Sequence, residues 1–281
     1  MDRPTYAARP PAKVNLRLEV LGRRPDGYHE LRSIFLRIGL SDRLTMGSGS
    51  GPTDRLQVTG LPGTPVEGNL ILRALAALRA HAAIDLPALD VTLEKAIPVA
   101  AGLGGGSSDA AAALKLAQAA WGIGLSPEDE AALAAGLGSD VPFFTTEFAA
   151  ARVEGRGELV EPVDAPAQAL LLVTPPSRLS TAAVYARYDD LGPSAEEANH
   201  LWPAAAALEP SLVALKRRLE AVTSREWLMS GSGPTLFALY PSVESAVEAG
   251  KSVASNQSSE SAMAIIHAVD LVGPDPAWRY P

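Results

Sequence analysis

Hydrophobic and polar residues alternate strictly from Ala12 to Val20, which predicts a half-buried β-strand. The two faces of this strand are apolar Val14, Leu16, Leu18 and Val20, and polar Lys13, Asn15, Arg17 and Glu19. A turn signal at Pro25-Asp26-Gly27 follows, and a second strand is predicted to return over residues 31–40. Lys13 and Asn15 are thus neighbours on one polar face, which either faces solvent or contributes to a site.

The rest of the chain alternates between segments with the apolar spacing of strands and segments with the apolar spacing of helices. Asn69 and Ser126 precede helical patterns as N-caps, and Ser126 is followed by proline and acidic residues. Predicted strands cover 56–58, 89–93, 170–173, 235–240 and 264–269, with a strand–turn–strand unit at 149–159. Predicted helices cover 69–81, 110–121, 126–138, 181–188, 203–222 (as one or two helices) and 243–254. The second half therefore reads as a further α+β unit.

A glycine-rich stretch lies between a predicted strand and a predicted helix: Pro98-Val-Ala-Ala-Gly-Leu-Gly-Gly-Gly-Ser-Ser-Asp109. Glycine lets a ligand approach the main chain, and the free amides of a helix N-terminus attract phosphate. Ser107 or Ser108 is a candidate cap, leaving the other hydroxyl for a phosphate or a metal. Neither a Walker loop, which needs lysine after the last glycine, nor the dinucleotide spacing matches. A flexible loop before an ordinary alanine-rich helix is the alternative.

Composition narrows the class of protein. The 281 residues, 47% hydrophobic and 20% charged, suit one large or two ordinary folded domains. A net charge of −8 disfavours a nucleic-acid partner, and the absence of cysteine excludes disulfides, thiolate metal sites and cysteine nucleophiles. With no apolar run at the N-terminus and none long enough for a membrane span, we expect a soluble cytoplasmic protein without a membrane partner.

Two further positions in the sequence have side chains suited to catalysis or ligand binding. Asp140 stands between a serine and an apolar run, just past a predicted helix end, and is either the cap of a short helix or a carboxylate held for a reacting hydroxyl. Tyr28 and His29 follow a turn as either a surface pair or a recognition pair, and Ser230-Gly-Ser-Gly-Pro234 forms a second glycine-rich loop.

Three separated stretches resemble the three motifs of the GHMP small-molecule kinases: Pro11-Ala-Lys-Val-Asn-Leu16, Pro98 to Ser108, and Leu228-Met-Ser-Gly-Ser-Gly-Pro-Thr235. Further motifs are similar to the members of this superfamily that act on a cytidine-diphosphate-linked methylerythritol: Gly27-Tyr-His-Glu30, Asn69-Leu-Ile71 and Gly138-Ser-Asp-Val-Pro-Phe-Phe144. The motifs stand in the expected order over nearly the whole chain.

The resemblance implies an α+β fold, the two-domain GHMP kinase fold. A ribosomal-protein-S5-domain-2-like N-terminal domain is expected at residues 1–155, a ferredoxin-like C-terminal domain at 156–281, and the active site between them. It also implies transfer of the ATP γ-phosphate to the 2-hydroxyl of the methylerythritol moiety. In that role Asp140 accepts the hydroxyl proton, and Lys13 pairs with it and offsets charge on the transferring group.

The same resemblance assigns the binding residues. Expected at the nucleotide are Asn69, Lys95, Pro98, Gly102, Gly104, Gly105, Gly106, Ser107 and Ser108, although Asn69 and Lys95 read equally as a cap and a solvated charge. Expected at the substrate are Asn15, Tyr28, His29, Tyr185, Gly231, Ser232 and Gly233, with Tyr28, His29 and Tyr185 around the cytosine. Mg²⁺ is expected on ATP oxygens and water, with Ser107 or Asp109 as a protein ligand.

Other functions stay open on the sequence. One is a GHMP kinase acting on homoserine, mevalonate or a sugar, and another is a catalytically silent nucleotide-binding protein. A third, an RNA-binding module, fits poorly with the charge of −8. The expected partner is a small-molecule substrate, and the expected assembly is a monomer or a weak homodimer.

Overall fold

The chain alternates strands and helices in the predicted order in a computed structural model that describes residues 5–61, 66–165, 169–193, 197–256 and 264–271. The strands are Thr5–Ala8 (β1), Pro11–Arg23 (β2), His29–Ser41 (β3), Arg43–Ser48 (β4), Arg55–Gly60 (β5), Leu89–Lys95 (β6), Ala150–Gly155 (β7), Leu159–Pro162 (β8), Ala169–Thr174 (β9), Leu228–Met229 (β10), Leu236–Tyr240 (β11) and Ile265–Asp270 (β12). The helices are Leu70–Ala82 (α1), Gly105–Trp121 (α2), Pro127–Leu137 (α3), Val141–Thr145 (α4), Thr181–Leu191 (α5), Trp202–Leu208 (α6), Ser211–Thr223 (α7) and Val243–Ser255 (α8). Strands β1, β4 and β10 are additions to the sequence prediction.

The strands form three four-stranded sheets, in the orders β1-β4-β6-β5, β2-β3-β7-β8 and β10-β11-β9-β12. Pairing is antiparallel except between β5 and β6. Strand β8 pairs with β7, so the second sheet continues past residue 155 to Pro162. The division of the chain at residue 155 stays a prediction.

The predicted hairpin of β2 and β3 is confirmed, with Asn15 paired to Phe35 and a register shift between Asn15 and Arg17. Lys13 and Asn15 are both buried, as is Val14 between them on the opposite face. Strand β2 is therefore covered on both sides at this point, and the alternative of a solvated polar face is wrong for these two residues.

Three groups of buried apolar side chains fill the interior. One lies among α1, α2, β4 and β6, and a second lies among the helices and sheet of the C-terminal half. The third joins the two halves, because Val14 and Leu36 pack with Leu170, Leu172 and Phe237. Strand β9 is buried along its whole length, which explains why residues 170–173 are uniformly apolar.

The predicted caps are confirmed at α1 and α3, where the Asn69 side chain accepts from the Ile71 amide and the Ser126 side chain accepts from the Asp129 amide. The prediction that Ser107 or Ser108 caps α2 is wrong. This helix begins at Gly105 and its N-cap is Gly104, whose φ of 69° suits glycine, so both serines lie in the first turn. None of the helices in the described ranges is long and apolar enough to cross a membrane.

Candidate active site

The centre of the site is an ion pair between Lys13 on β2 and Asp140, which immediately precedes α4. The Lys13 Nζ lies 3.4 Å from Oδ2 of Asp140 and donates a hydrogen bond of 2.6 Å to the Asn15 side-chain oxygen. It also sits 4.7 Å from the ring centre of Phe35. Asp140 occupies the N-cap position of α4 but makes no capping bond with its side chain within the described chain. The alternative thus holds for the position of Asp140 at the start of a short helix, but its carboxylate pairs with Lys13 and makes no capping bond.

Asn15 connects this pair to the C-terminal half. Its amide nitrogen donates to the Ser33 hydroxyl at 2.9 Å, and its backbone amide donates to the Ser230 hydroxyl at 3.3 Å. Ser230 in turn donates to the Gly102 carbonyl at 2.8 Å. All three polar side chains are buried, so the network fixes the Asn15 oxygen that receives the Lys13 ammonium.

The backbone of the glycine-rich loop packs directly against Ser230 and Lys13 of this network. A Cβ atom on Gly102, whose φ is +77°, would lie 2.2 Å from the Ser230 carbonyl oxygen. The Leu103 carbonyl accepts from the Lys13 amide at 3.0 Å, and a Cβ on Gly104 would lie 3.1 Å from the Lys13 side chain. Glycine is required at Gly102 because both the backbone angle and the space exclude a side chain.

The first turn of α2 presents unpaired polar groups as well as helix amides. The Ser108 hydroxyl and the Asp109 Oδ1 are buried and have no hydrogen-bond partner among the described residues. Gly106 is open, since a Cβ there would meet only the Leu70 side chain at 3.8 Å. The loop, Gly105, Gly106 and Ser107 all line the same cleft, so this helix end can accept an anionic group.

Lys95 lies beneath this turn, between two carboxylates. Its Nζ donates to Asp42 and, at 2.9 Å, to Oδ2 of Asp109, while the other Asp42 oxygen accepts the amides of Ala96 and Ile97 at 2.6 and 2.8 Å. Burial alone lowers the pKa of Lys95, but Asp109 and Asp42 outweigh it and the net pKa is raised. Lys95 is thus a buried anchor for the helix start, and the alternative of a solvated charge is wrong.

We expect Asp109 to make the stability of the nucleotide-free protein depend on pH. Burial, together with the charge of Asp42 and against that of Lys95, raises the pKa of Asp109 from 3.8 to about 7. The native state therefore holds a proton there that the unfolded chain releases near pH 4, so this contribution to stability is lost as pH rises from about 4 to about 7.

Urea unfolding at pH 5 and pH 8, without nucleotide or magnesium, tests this expectation. Asp109→Asn mimics the protonated form, so its stability relative to wild type should rise by on the order of 1 kcal/mol or more between the two pH values. Asp190→Asn, an exposed carboxylate on α5, is the control. An equal pH response of Asp109→Asn and wild type would contradict the assignment.

The aromatic residues form the other end of the cleft. The rings of His29 and Tyr185 stack with centres 4.8 Å apart, and Tyr188 meets His29 edge-on at 6.2 Å. Tyr28 is more than half exposed and carries the Arg156 guanidinium 4.3 Å above its ring. A third ring cannot lie between His29 and Tyr185, so a bound base must contact other faces of this cluster. Burial and the charge of Asp140 raise the pKa of Tyr185.

The second glycine-rich loop closes the cleft from the C-terminal half. Asn199 donates to the carbonyls of Met229 and Gly231, both at 2.8 Å, and the Ser232 hydroxyl lies 2.9 Å from that of Thr181 at the start of α5. The peptide bond between Gly233 and Pro234 is cis. The contacts made by the Asn199 and Ser232 side chains hold the loop in place, with Gly231 and Ser232 at the cleft wall.

The cleft that contains these groups has a volume of about 990 Å³. It brings together all of the predicted site residues except Ser108, which is buried behind the loop, and Gly233, which packs on Met229. Several partners lay outside the sequence prediction: Ser33, Asp42, Arg156, Asp189, Asn199 and Ser230 as a linker. Ser230 belongs to the second glycine-rich loop, but nothing local indicates its bond to Gly102, and no local pattern marks the other five.

Family models match both halves of the chain. The model of GHMP kinase N-terminal domains matches residues 69–147, and that of GHMP kinase C-terminal domains matches residues 182–258. The crystal structure of a homoserine kinase from Cytophaga hutchinsonii superposes with a TM-score of 0.65 at 15% identity, covering 98% of this chain and 96% of that one, and so shows the shared fold. The predicted two-domain α+β fold is confirmed. Together with the two family models, it identifies the chain as a GHMP kinase.

Curated relatives narrow the class further. The 4-diphosphocytidyl-2-C-methyl-D-erythritol kinases of Pelotomaculum thermopropionicum and Geobacter sulfurreducens are each 40% identical to this chain, covering 84% and 86% of it and 89% and 92% of the relatives. A crystal structure of 4-(cytidine 5'-diphospho)-2C-methyl-D-erythritol kinase has a TM-score of 0.75 at 33% identity, over 94% of this chain and 99% of that one. The chain belongs to the 4-diphosphocytidyl-2-C-methyl-D-erythritol kinase family.

Proposed function

We propose that this chain transfers the γ-phosphate of ATP to the 2-hydroxyl of 4-diphosphocytidyl-2-C-methyl-D-erythritol. The observation that carries the proposal is the buried Lys13 ammonium, 3.4 Å from the Asp140 carboxylate, in the same cleft as the first turn of α2. Phosphoryl transfer needs positioning and charge stabilisation more than covalent chemistry, and this arrangement offers both.

In the proposed reaction Asp140 orients the substrate hydroxyl and accepts its proton as the oxygen attacks phosphorus. Lys13 is within reach of both the carboxylate and the space above Gly104, so its ammonium can stabilise charge that develops on the transferring group. Asn15 holds the ammonium at 2.6 Å, which makes it a positioning residue for Lys13.

The nucleotide is proposed to bind with its phosphates at the loop and the first turn of α2. The residues that line the cleft there are Gly104, Gly105, Gly106, Ser107, Pro98 and Asn69. Asn69 uses its side-chain oxygen to cap α1, and Lys95 anchors the loop from below. We therefore assign the adenosine pocket to this end of the cleft, with Lys95 supporting it indirectly.

A magnesium ion is proposed to bind beside the phosphates. In the described ranges no three acidic or histidine side chains group closely enough to hold a metal alone. The oxygens present nevertheless fit a hard cation: the Ser107 hydroxyl lines the cleft, and the Asp109 Oδ1 is buried without a described partner. When bound with ATP oxygens and water, the ion would neutralise phosphate charge.

The cytidine is proposed to bind at the aromatic end, against Tyr28, His29 and Tyr185. Gly231 and Ser232 would contact the substrate from the C-terminal loop, with Gly233 packed behind them on Met229. We further propose a domain division near residue 155, a cytoplasmic location and a monomeric or weakly dimeric state. Binding of nucleic acid is not part of the proposal, since the net charge is −8.

A panel of alcohols with labelled ATP tests the reaction. We expect phosphate transfer to 4-diphosphocytidyl-2-C-methyl-D-erythritol, with homoserine, mevalonate and galactose at background level, because only the first fills both ends of the cleft. Product analysis should place the phosphate on the 2-hydroxyl. Preference for another alcohol would replace the substrate assignment, and ATP binding without transfer to any alcohol would indicate a non-catalytic protein.

A further inference from the structure

The imidazole of His29 is held on three sides at the aromatic end of the cleft. Its Nε2 lies 2.7 Å from Oδ1 of Asp189, Tyr185 stacks on its face with an interplanar angle of 24°, and Tyr188 meets its edge at 86°. The side chain is only 10% exposed. The orientation of this ring is therefore fixed before any ligand arrives, and Nδ1 is the ring nitrogen left for a ligand.

Asp189 is itself held by the fold. It lies one helical turn after Tyr185 on α5, so the stacking ring and the carboxylate share one face of that helix. Its second oxygen, Oδ2, lies 3.6 Å from a guanidinium nitrogen of Arg23, near the end of β2. The neighbouring Asp190 differs, since it is 69% exposed and pairs with Arg187.

Resting on the proposed function, we infer that Asp189 is a positioning residue that selects cytosine over uracil through His29. A carboxylate only accepts hydrogen bonds, so the hydrogen of neutral His29 resides on Nε2 and the lone pair resides on Nδ1. Cytosine presents an amino donor at C4, where uracil presents a carbonyl acceptor. An accepting Nδ1 can therefore hydrogen-bond the cytosine amino group, whereas with uracil it faces the C4 carbonyl, which is also an acceptor.

A purely structural role for Asp189 makes a different prediction. If the carboxylate only tied α5 to β3, its loss would weaken cytidine and uridine ligands alike. If the carboxylate sets the tautomer, its loss allows the hydrogen of the ring to reside on either nitrogen. Selection of cytidine over uridine then falls, while the chemistry at Lys13 and Asp140 continues. The ratio of the two substrates separates these roles.

The experiment compares wild type, Asp189→Ala, Asp189→Asn and the control Asp190→Ala with the cytidine substrate and its uridine analogue. For Asp189→Ala we expect the cytidine-to-uridine ratio of kcat/KM to fall about tenfold through KM, with kcat for the cytidine substrate within about twofold of wild type. Asp189→Asn keeps an accepting oxygen and should retain more of the ratio, and Asp190→Ala should match wild type. Equal losses on both substrates would overturn the inference.

Two further readouts separate this inference from the proposed function. The ¹⁵N shifts of the His29 ring in wild type should show Nε2–H and a bare Nδ1; a hydrogen on Nδ1 would overturn the inference. Calorimetry with CDP and UDP measures base selection without turnover. Selective CDP binding that Asp189→Ala abolishes, in a protein that phosphorylates no methylerythritol substrate, would support the inference and reject the reaction.

Discussion

Asp140→Asn is expected to lower kcat by at least about a hundredfold, the scale usual for loss of a positioned base. The amide keeps the shape of the carboxylate but cannot take the hydroxyl proton. It also removes the negative charge that lies 3.4 Å from the Lys13 ammonium, so orientation of the hydroxyl is weakened together with loss of the base. Single-turnover rates with saturating ATP measure the effect on the chemical step.

The nucleotide should still bind, because the loop and the first turn of α2 make their own contacts. The Kd for ATP is therefore expected to stay within about threefold of wild type, which locates the defect in transfer. Asp129→Asn, on the exposed side of α3, is the matched control and should retain full activity. A kcat for Asp140→Asn close to wild type would remove Asp140 from the catalytic role.

Gly157→Ala is expected to destabilise the protein strongly, although it adds only one methyl group. Gly157 follows β7 with a φ of +122°, and a Cβ there would lie 1.8 Å from the carbonyl oxygen of Ser139. That carbonyl belongs to the residue before Asp140, so the collision falls on the backbone that carries the carboxylate. We expect a loss of about 3 kcal/mol of stability, together with lower kcat in the fraction that folds.

Gly122→Ala provides the comparison. Gly122 ends α2 with a φ of +65°, and none of the described atoms would lie within 4 Å of its Cβ, so only backbone strain of about 1–2 kcal/mol is added. Urea unfolding of both variants isolates the collision, and kcat should be affected only in Gly157→Ala. Similar unfolding midpoints for the two variants would mean that the hairpin shifts away from Ser139 without cost.

Local patterns were sufficient for most elements of this fold. Alternation predicted β2, and the turn signal after it predicted β3 as a returning strand. Uniform apolarity predicted β9, and the caps at Asn69 and Ser126 predicted where α1 and α3 begin. Strand β1 is only four residues long, and β4 ends in Gly47 and Ser48, so neither carries a strong strand pattern. Pairing to neighbouring strands, which is not local, makes them strands.

The site was predictable only as far as motifs identify single residues. The motifs placed Lys13 and Asp140 together, and the structure brings them within 3.4 Å. They could not indicate that Asp42, 53 residues before Lys95, would accept a hydrogen bond from the buried ammonium of that lysine. Nor could they pair His29 with Asp189, 160 residues later. The first contact depends on packing within the N-terminal half and the second on packing between the two halves, and no short stretch encodes either.

The hydrogen bond between Ser230 and Gly102 can form only late in the synthesis of the chain. The two residues are 128 positions apart, so the first loop leaves the ribosome long before the segment that supports it. Until that segment arrives, neither the Gly102 carbonyl nor the Asn15 amide has its hydroxyl partner. A chain that ends before Ser230 consequently lacks both of the hydrogen bonds through which this hydroxyl joins the first glycine-rich loop to strand β2.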